Sequence, residues 1–244
     1  MEEAQRIHDY LPISYADITE QNYIRFLWDA FETNYHAEKY EFANLAFHLL
    51  YMSFVCFSVW QIRAARRTDF DKALVGFQSD VENKLINAAS PFKFFDNLKE
   101  SAIFRFIKLV GCNNDQVGEF SKFVKQRNRI AHPSGTVTFN NKDKIDEQII
   151  LVMAEIDNIQ NHMAPVLHDC LGIFLKENAE PEEWEYSVPR DQINSVLIHR
   201  NYFSQRDIDT CVNFNIGVFN DNDNKEQINE LFNIFIQEYQ SEQE

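Results

Sequence analysis

The longest run of regularly spaced apolar residues lies between positions 143 and 177. Its members recur every three or four residues: Ile145, Ile149, Val152, Ile156, Ile159, Met163, Val166, Cys170 and Phe174. This spacing predicts one long α-helix with a continuous apolar face. Pro165 lies inside the run, so we expect a kink or a break there. A helix of this length needs other helices to cover its apolar face, which favours a helical bundle.

A second long element, from about residue 39 to residue 67, is apolar nearly all round in its middle. Its most apolar part, residues 49–60, is shorter than the about 20 apolar residues that a membrane-spanning helix needs. We therefore expect a buried central helix and no contact with a membrane. The acidic N-terminus shows no signal-peptide pattern, and the four cysteines form no CxxC or zinc-type spacing. These features predict a cytoplasmic protein with free thiols.

Composition narrows the fold class further. The chain has only 6 Gly and 6 Pro against 22 Phe, which disfavours disorder and an all-β sandwich. Helical spacing predicts further helices at about 20–35, 70–88, 92–110, 115–131 and 225–240, whereas 212–219 alternates as a strand does. We predict an all-α protein: a helical domain over residues 1–179, then a small mixed, acidic extension over residues 180–244.

Charge is distributed unevenly along the chain. The formal net charge is −15, which argues against a general nucleic-acid-binding protein. Residues 57–135, however, carry 13 basic and 8 acidic side chains, while the segments on either side are acidic. An anionic ligand is therefore expected to bind in the middle segment.

The predicted helix 115–131 carries an arginine on its apolar face. Phe120, Phe123, Val124, Ile130 and Ala131 form one stripe at helical spacing, and Arg127 occupies the remaining position of that stripe. An inward-facing guanidinium is unfavourable unless it is paired. Two interpretations stay open: Arg127 pairs with a structural carboxylate, or it lines a cleft or subunit interface and grips phosphate oxygens with its planar fork.

A histidine follows the arginine at the predicted end of this helix. Pro133 disfavours the α conformation at His132, so the helix should end near Ala131 and His132 should lie where the chain turns. The C-terminal end of a helix favours the protonated imidazole, and a histidine near neutrality suits general acid–base catalysis. The alternative is a histidine that only caps helix carbonyl groups.

Residues 127–132 (RNRIAH) resemble the R-x4–6-H motif of the HEPN superfamily, including the polar residue that often follows the arginine. The resemblance covers roughly residues 20–178. It implies a helical bundle and, as in many HEPN proteins, a metal-independent endoribonuclease of toxin–antitoxin, abortive-infection or CRISPR-type defence. Ser134 stands where HEPN toxins silenced by a nucleotidyltransferase usually have a tyrosine, so control by modification at that position is not expected.

The same resemblance implies roles for individual residues. Two copies of the motif would face each other in a homodimer, where Arg127 holds the scissile phosphate and His132 transfers protons as the RNA 2′-OH attacks phosphorus. Asn128 would orient the arginine or the histidine, and Lys125 and Arg129 would contact the RNA backbone unless they only form a solvated helix face. No metal and no cofactor are implied. RNA is the implied substrate, and an antitoxin or regulatory protein is a further partner that the resemblance allows.

Two other functions remain open at this point. One is a non-catalytic HEPN-like module that binds RNA, a nucleotide or a protein. The other is an acidic helical interaction protein whose Arg127 forms a structural ion pair.

Two further segments also allow two interpretations. Arg63, Arg66 and Arg67 either extend the RNA track or balance the C-terminal end of a helix. The acidic extension either docks a partner or holds the enzyme inactive.

Overall fold

A computed structural model describes residues 1–132, 135 and 137–239. Within these residues the fold is all-α, with isolated bridges but no strand. The α-helices, numbered in chain order, are α1 (Glu2–Gln5), α2 (Ile18–His36), α3 (Tyr40–Ala65), α4 (Arg67–Ala73), α5 (Ser79–Ile86), α6 (Lys93–Asn97), α7 (Glu100–Ile103), α8 (Asn114–Ala131), α9 (Lys142–Glu177), α10 (Pro189–Gln192), α11 (Gln205–Val212) and α12 (Lys225–Tyr239).

Helix α3 lies at the centre of the bundle. It packs most extensively against α2 and α9, and it also contacts α8, where the Tyr51 hydroxyl donates to the Phe120 carbonyl. Its large side chains, such as Phe47, Tyr51 and Phe57, are almost completely buried. Among the described helices, α3 alone is long and apolar enough to span a membrane, and most of its apolar window is buried by the rest of the protein. This burial is typical of a core helix. All four cysteines are buried and free, as the sequence predicts.

Helix α8, which carries the candidate motif, begins at a capping box. The Asn113 side chain accepts a hydrogen bond from the Gln116 backbone N–H, and the Gln116 side chain accepts one from the Asn113 N–H. Two of the free N–H groups at the helix start are thus satisfied. The inner face of α8 buries Phe120, Phe123 and Val124, and the helix ends at Ala131 as predicted.

Helix α9 is longer than any other described helix and runs without interruption through Pro165. A proline cannot donate a hydrogen bond to the carbonyl group four residues earlier, here that of Asn161. Both Pro165 and Asn161 are exposed, so water is able to reach the freed carbonyl group. The break considered from the sequence does not occur.

The segment between α3 and α8 differs from the two long helices predicted there. Residues 70–88 divide into α4 and α5 at Gly76, whose φ of 99° is left-handed. Residues 92–110 form α6, α7 and a 3₁₀ helix over Phe104–Val110. These short elements bring Phe94, Phe104 and Phe106 into the core, where all three are buried.

The strand that alternation allowed over residues 212–219 does not form. Val212 ends α11, and residues Ile216–Phe219 form a 3₁₀ helix. Alternating apolar residues here serve different contacts: Phe214 packs edge-on against His168 of α9 and against Phe232 of α12. Before α11, residues Pro181–Glu183 form a 3₁₀ turn and Ile193–His199 a π-helix.

The C-terminal residues pack against the same core as the rest of the chain. The Asp207 carboxylate is buried and accepts hydrogen bonds from Gln61 of α3 at 2.9 Å, Gln160 of α9 at 2.8 Å and the Ser204 backbone N–H at 2.8 Å. One carboxylate therefore joins three helices. Burial raises the pKa of Asp207, and these hydrogen bonds oppose that rise.

We expect Asp207→Ala to lower the free energy of unfolding by about 3–5 kcal/mol, because buried amide donors on α3 and α9 lose their acceptor. Urea denaturation followed by circular dichroism measures this change. Asp221→Ala, an exposed position of the same C-terminal region, serves as the control and should change stability by less than about 0.5 kcal/mol. Equal stability of the two variants would contradict the role of the carboxylate.

Candidate functional site

Arg127 lies on the inner face of α8, where the sequence places it. Its Nη2 donates a hydrogen bond to the Oε1 atom of Glu100, the first residue of α7. The two side chains are 23% and 14% exposed, so the ion pair is mostly buried but open at one edge. The structure thus provides the carboxylate partner that the structural interpretation of Arg127 requires.

The second oxygen of Glu100 contacts a histidine of the central helix. His48 Nε2 lies 2.9 Å from Glu100 Oε2, and the His48 side chain is only 3% exposed. The Glu100 carboxylate on α7 is therefore hydrogen-bonded both to His48 of α3 and to Arg127 of α8. The three side chains of this cluster are mostly buried, and buried polar groups require partners.

The cluster stabilises the charged form of Glu100. Burial alone would raise the pKa of this carboxyl group, but the hydrogen bonds from His48 and Arg127 outweigh burial and lower the pKa to about 2. The carboxylate is therefore ionised across the physiological range and holds the arginine in one position.

Arg127 also has an unused donor. Its Nε atom is buried and has no hydrogen-bond partner among the described residues. A buried donor without a partner is unfavourable by about 1–3 kcal/mol and requires a physical explanation. The guanidinium is thus not fully satisfied by Glu100 alone.

His132 lies at the C-terminal end of α8. Its backbone is extended, with φ −109° and ψ 147°, and its N–H donates to the Asn128 carbonyl at 3.1 Å. The His132 side chain is exposed, so a ligand is able to reach it. No hydrogen bond or ion pair joins His132 to Arg127 within the described part of the chain, and the two side chains do not form a preassembled pair in one copy.

The other predicted site residues are divided between two environments. Lys125 and Arg129 are exposed on the outer face of α8, while Asn128 is half-buried beside the motif. Ile130 is half-buried and Ala131 is exposed, so the apolar stripe of α8 is shorter than predicted.

The loop after the motif returns to the start of α3. The Glu41 carboxylate accepts hydrogen bonds from the backbone N–H groups of Thr138 and Phe139, and Phe139 is buried. This contact fixes the far end of the loop that begins at His132. The prediction about Ser134 concerns a residue outside the described part of the chain.

The arginines at and just after the end of α3 form hydrogen bonds and ion pairs within the protein. Arg63 donates to the Ala88 carbonyl, Arg66 pairs with Asp169 of α9, and Arg67 pairs with Asp71. These contacts favour a structural role for the three arginines over an RNA track.

Sequence reasoning missed Glu100, His48 and Glu41. One indication was available for His48: it is a polar residue within the buried part of a helix that is otherwise apolar nearly all round. Glu100 and Glu41 give no such indication, because acidic residues near the start of a helix are common.

No family model matches the chain, and no curated protein or solved structure shows a significant similarity to it. The resemblance to HEPN proteins therefore depends on residues 127–132 and their setting alone. Among the described residues, no group of three or more His, Cys, Asp or Glu side chains has the arrangement of a metal site.

We expect the stabilising effect of Glu100 to disappear in acid. The pKa of Glu100 is about 2 in the folded protein, against 4.5 for a glutamate without these contacts, as in the unfolded chain. Its contribution to the free energy of unfolding is therefore complete above about pH 5 and is lost as the pH falls toward 2. The difference in unfolding free energy between the wild type and Glu100→Gln should shrink over this range. Urea titrations at several pH values measure it. Glu147→Gln, an exposed position, is the control, and a pH-independent difference for Glu100→Gln would contradict the assignment.

Proposed function

We propose that the protein is a metal-independent endoribonuclease whose site is built on Arg127 and His132. The observation that carries this proposal is the arrangement on α8: a fixed, partly exposed arginine precedes an exposed histidine at the helix end. Arginine suits a phosphate because its planar guanidinium binds two oxygens at once. Histidine supplies a proton donor and acceptor near neutral pH.

In this proposal the RNA 2′-OH attacks the adjacent phosphorus, and the bond to the 5′-oxygen of the next nucleotide breaks. The products are a 2′,3′-cyclic phosphate and a free 5′-hydroxyl group. Arg127 stabilises the negative charge that develops on the phosphate oxygens. His132 accepts the proton of the 2′-OH or donates one to the leaving oxygen. DNA lacks the 2′-OH and is not a substrate.

Glu100 and His48 act as positioning residues in this scheme. The Glu100 carboxylate holds one edge of the Arg127 guanidinium before RNA arrives, so less side-chain entropy is lost on binding. Lys125 and Arg129 add positive charge on the outer face of α8, and Asn128 orients the motif. The acidic remainder of the chain disfavours loose binding of unrelated RNA.

A homodimer brings a second His132 to the site, so that one histidine serves as base and the other as acid. Helix α9 offers a surface for this contact: Ile150 and Leu151 are 56% and 44% exposed, and Ala154 lies one turn further along the same face. The buried Gln148 of the same α9 segment donates to Gln126 of α8 at 2.8 Å, so the segment that carries this surface packs against the motif helix.

The cellular setting follows from the same resemblance and is part of the proposal. We place the enzyme in the cytoplasm of a prokaryote as a toxin or anti-phage effector, with an antitoxin or regulatory protein as its control. The second candidate is a non-catalytic module in which Arg127 only stabilises the fold. The Arg127–Glu100 ion pair is the observation that favours this candidate.

We expect the purified protein to cleave single-stranded RNA in the presence of EDTA and to leave 2′,3′-cyclic phosphate ends. His132→Ala should reduce the rate at least about 100-fold, which is the lower end of general acid–base contributions. His132 is exposed, so the substitution should leave the melting temperature unchanged. The matched control is His36→Ala, an exposed histidine at the end of α2, which should cleave like the wild type.

Variants of Arg127 separate the two candidate functions in the same assay. Arg127→Lys keeps a cation opposite Glu100 but loses the planar fork, so it should fold and lose cleavage. Arg127→Ala should lower stability by about 3–5 kcal/mol, because the mostly buried Glu100 carboxylate loses one of its two partners. If His132→Ala and Arg127→Lys both cleave RNA as fast as the wild type, Arg127 has only a structural role. The same conclusion follows if the wild type does not cleave RNA.

Leu151→Glu should convert a dimer into a monomer, because it places a charge in the apolar centre of the proposed contact. Sedimentation-velocity ultracentrifugation measures the change, and cleavage should fall with the loss of the dimer. Asn158→Glu, an exposed position on the same side of α9 but beyond the apolar face, is the control. A monomeric wild type that cleaves RNA would overturn the proposed dimer but not the assignment of His132.

A further inference from the structure

A surface cavity of about 560 Å³ opens between the start of α2, the middle of α3 and α6. Its volume is within the range of small-molecule sites. None of Arg127, His132 and Glu100 lines it. The cavity is therefore distinct from the proposed nuclease site and raises the question of its own ligand.

Aromatic rings form one wall of this cavity. Tyr23 of α2 packs edge-on against Phe92 with ring centres 5.4 Å apart, and Phe95 lies nearly parallel to Phe92 at 6.4 Å. All three rings are partly exposed, so their remaining surface faces the open space. Aromatic faces carry partial negative charge and attract cations.

A buried carboxylate forms another part of the lining. Glu20 is only 7% exposed, and its oxygens accept hydrogen bonds from the hydroxyl groups of Ser90 and Tyr202, the latter at 2.8 Å. Both donors are neutral. No Lys, Arg or His of the described residues forms an ion pair with Glu20, although buried carboxylates usually have a basic partner.

The remaining charged groups at the cavity are mainly acidic. Asp17 and Asp96 line it together with Lys93, and the Lys93 ammonium lies 2.8 Å from the Asp96 carboxylate. Among the described residues, neither Asp17 nor Glu20 forms an ion pair. The lining is thus net negative, and it disfavours phosphate and other anions.

We propose that this cavity binds an organic cation of the alkylated ammonium class. The aromatic wall provides cation–π contacts to the alkylated head group, and the Glu20 carboxylate provides the opposite charge. A bare divalent metal ion fits less well, because it requires about six oxygen ligands and gains little from aromatic rings. This proposal is independent of the proposed nuclease activity.

Calorimetric titration of the full-length protein with choline chloride tests the charge requirement. We expect one choline to bind per chain. The neutral isostere, in which a tert-butyl group replaces the trimethylammonium group, should bind at least about tenfold more weakly, since it fills the same volume without the charge. Equal affinities for the two probes, or no choline binding at about 10 mM, would overturn the proposal.

Variants test the residues that carry the argument. Glu20→Gln should weaken choline binding about tenfold and Phe92→Leu about fivefold, whereas Lys93→Met should strengthen it about twofold because a competing cation is lost. Glu147→Gln, an exposed acidic residue away from the cavity, should bind like the wild type. Thermal melting confirms that each variant is folded. Wild-type affinity in folded Phe92→Leu and Lys93→Met would refute the site even if Glu20→Gln does not fold.

Discussion

The requirement to bury α3 on every side determines the rest of the structure. This helix is apolar nearly all round, and most of its residues from Ala43 to Ile62 are inaccessible to solvent. Helices α2, α8 and α9, the 3₁₀ helix before α8 and the first residues of the chain all pack against it. The apolar area that α3 removes from water is the main driving force of folding, since burial stabilises by about 25 cal/mol per Å².

The few polar groups of α3 connect it to specific neighbours. The Tyr51 hydroxyl donates to the Phe120 carbonyl of α8 at 3.0 Å, His48 contacts Glu100 of α7, and Gln61 donates to Asp207 of α11. A buried polar group without a partner is strongly unfavourable, so each bond favours one arrangement of the helix that it reaches. The site cluster is thus one of three such connections. Arg127 owes its fixed position to a carboxylate that α3 itself helps to hold.

Much of the fold was predictable because long helices give strong periodic patterns. The bounds of α2, α3, α8 and α9 lie within a few residues of those read from spacing, and so does the inward placement of Arg127. Spacing failed between α3 and α8, where tertiary packing of many aromatic residues overrides local preference. Residue spacing also could not identify Glu100 as the partner of Arg127 and His48, because Glu100 is 27 positions from Arg127 and 52 from His48 in the sequence. Local pattern places a residue on a helix face, but only the packed structure identifies its partner.

The two proposed sites have opposite charge preferences and share neighbouring elements. Leu49 lines the cavity directly after His48 on α3, and Asp96 lines it four residues before Glu100. Burial raises the pKa of Tyr23 at the cavity wall, and the negative charge of Glu100 raises it further. The two proposed ligands carry opposite charges and would lie beside adjoining elements, so any coupling between them is reciprocal: each would change the affinity for the other by the same factor. Salt weakens this coupling less for the buried Glu20 and Glu100 than for exposed charges, because buried groups are less screened.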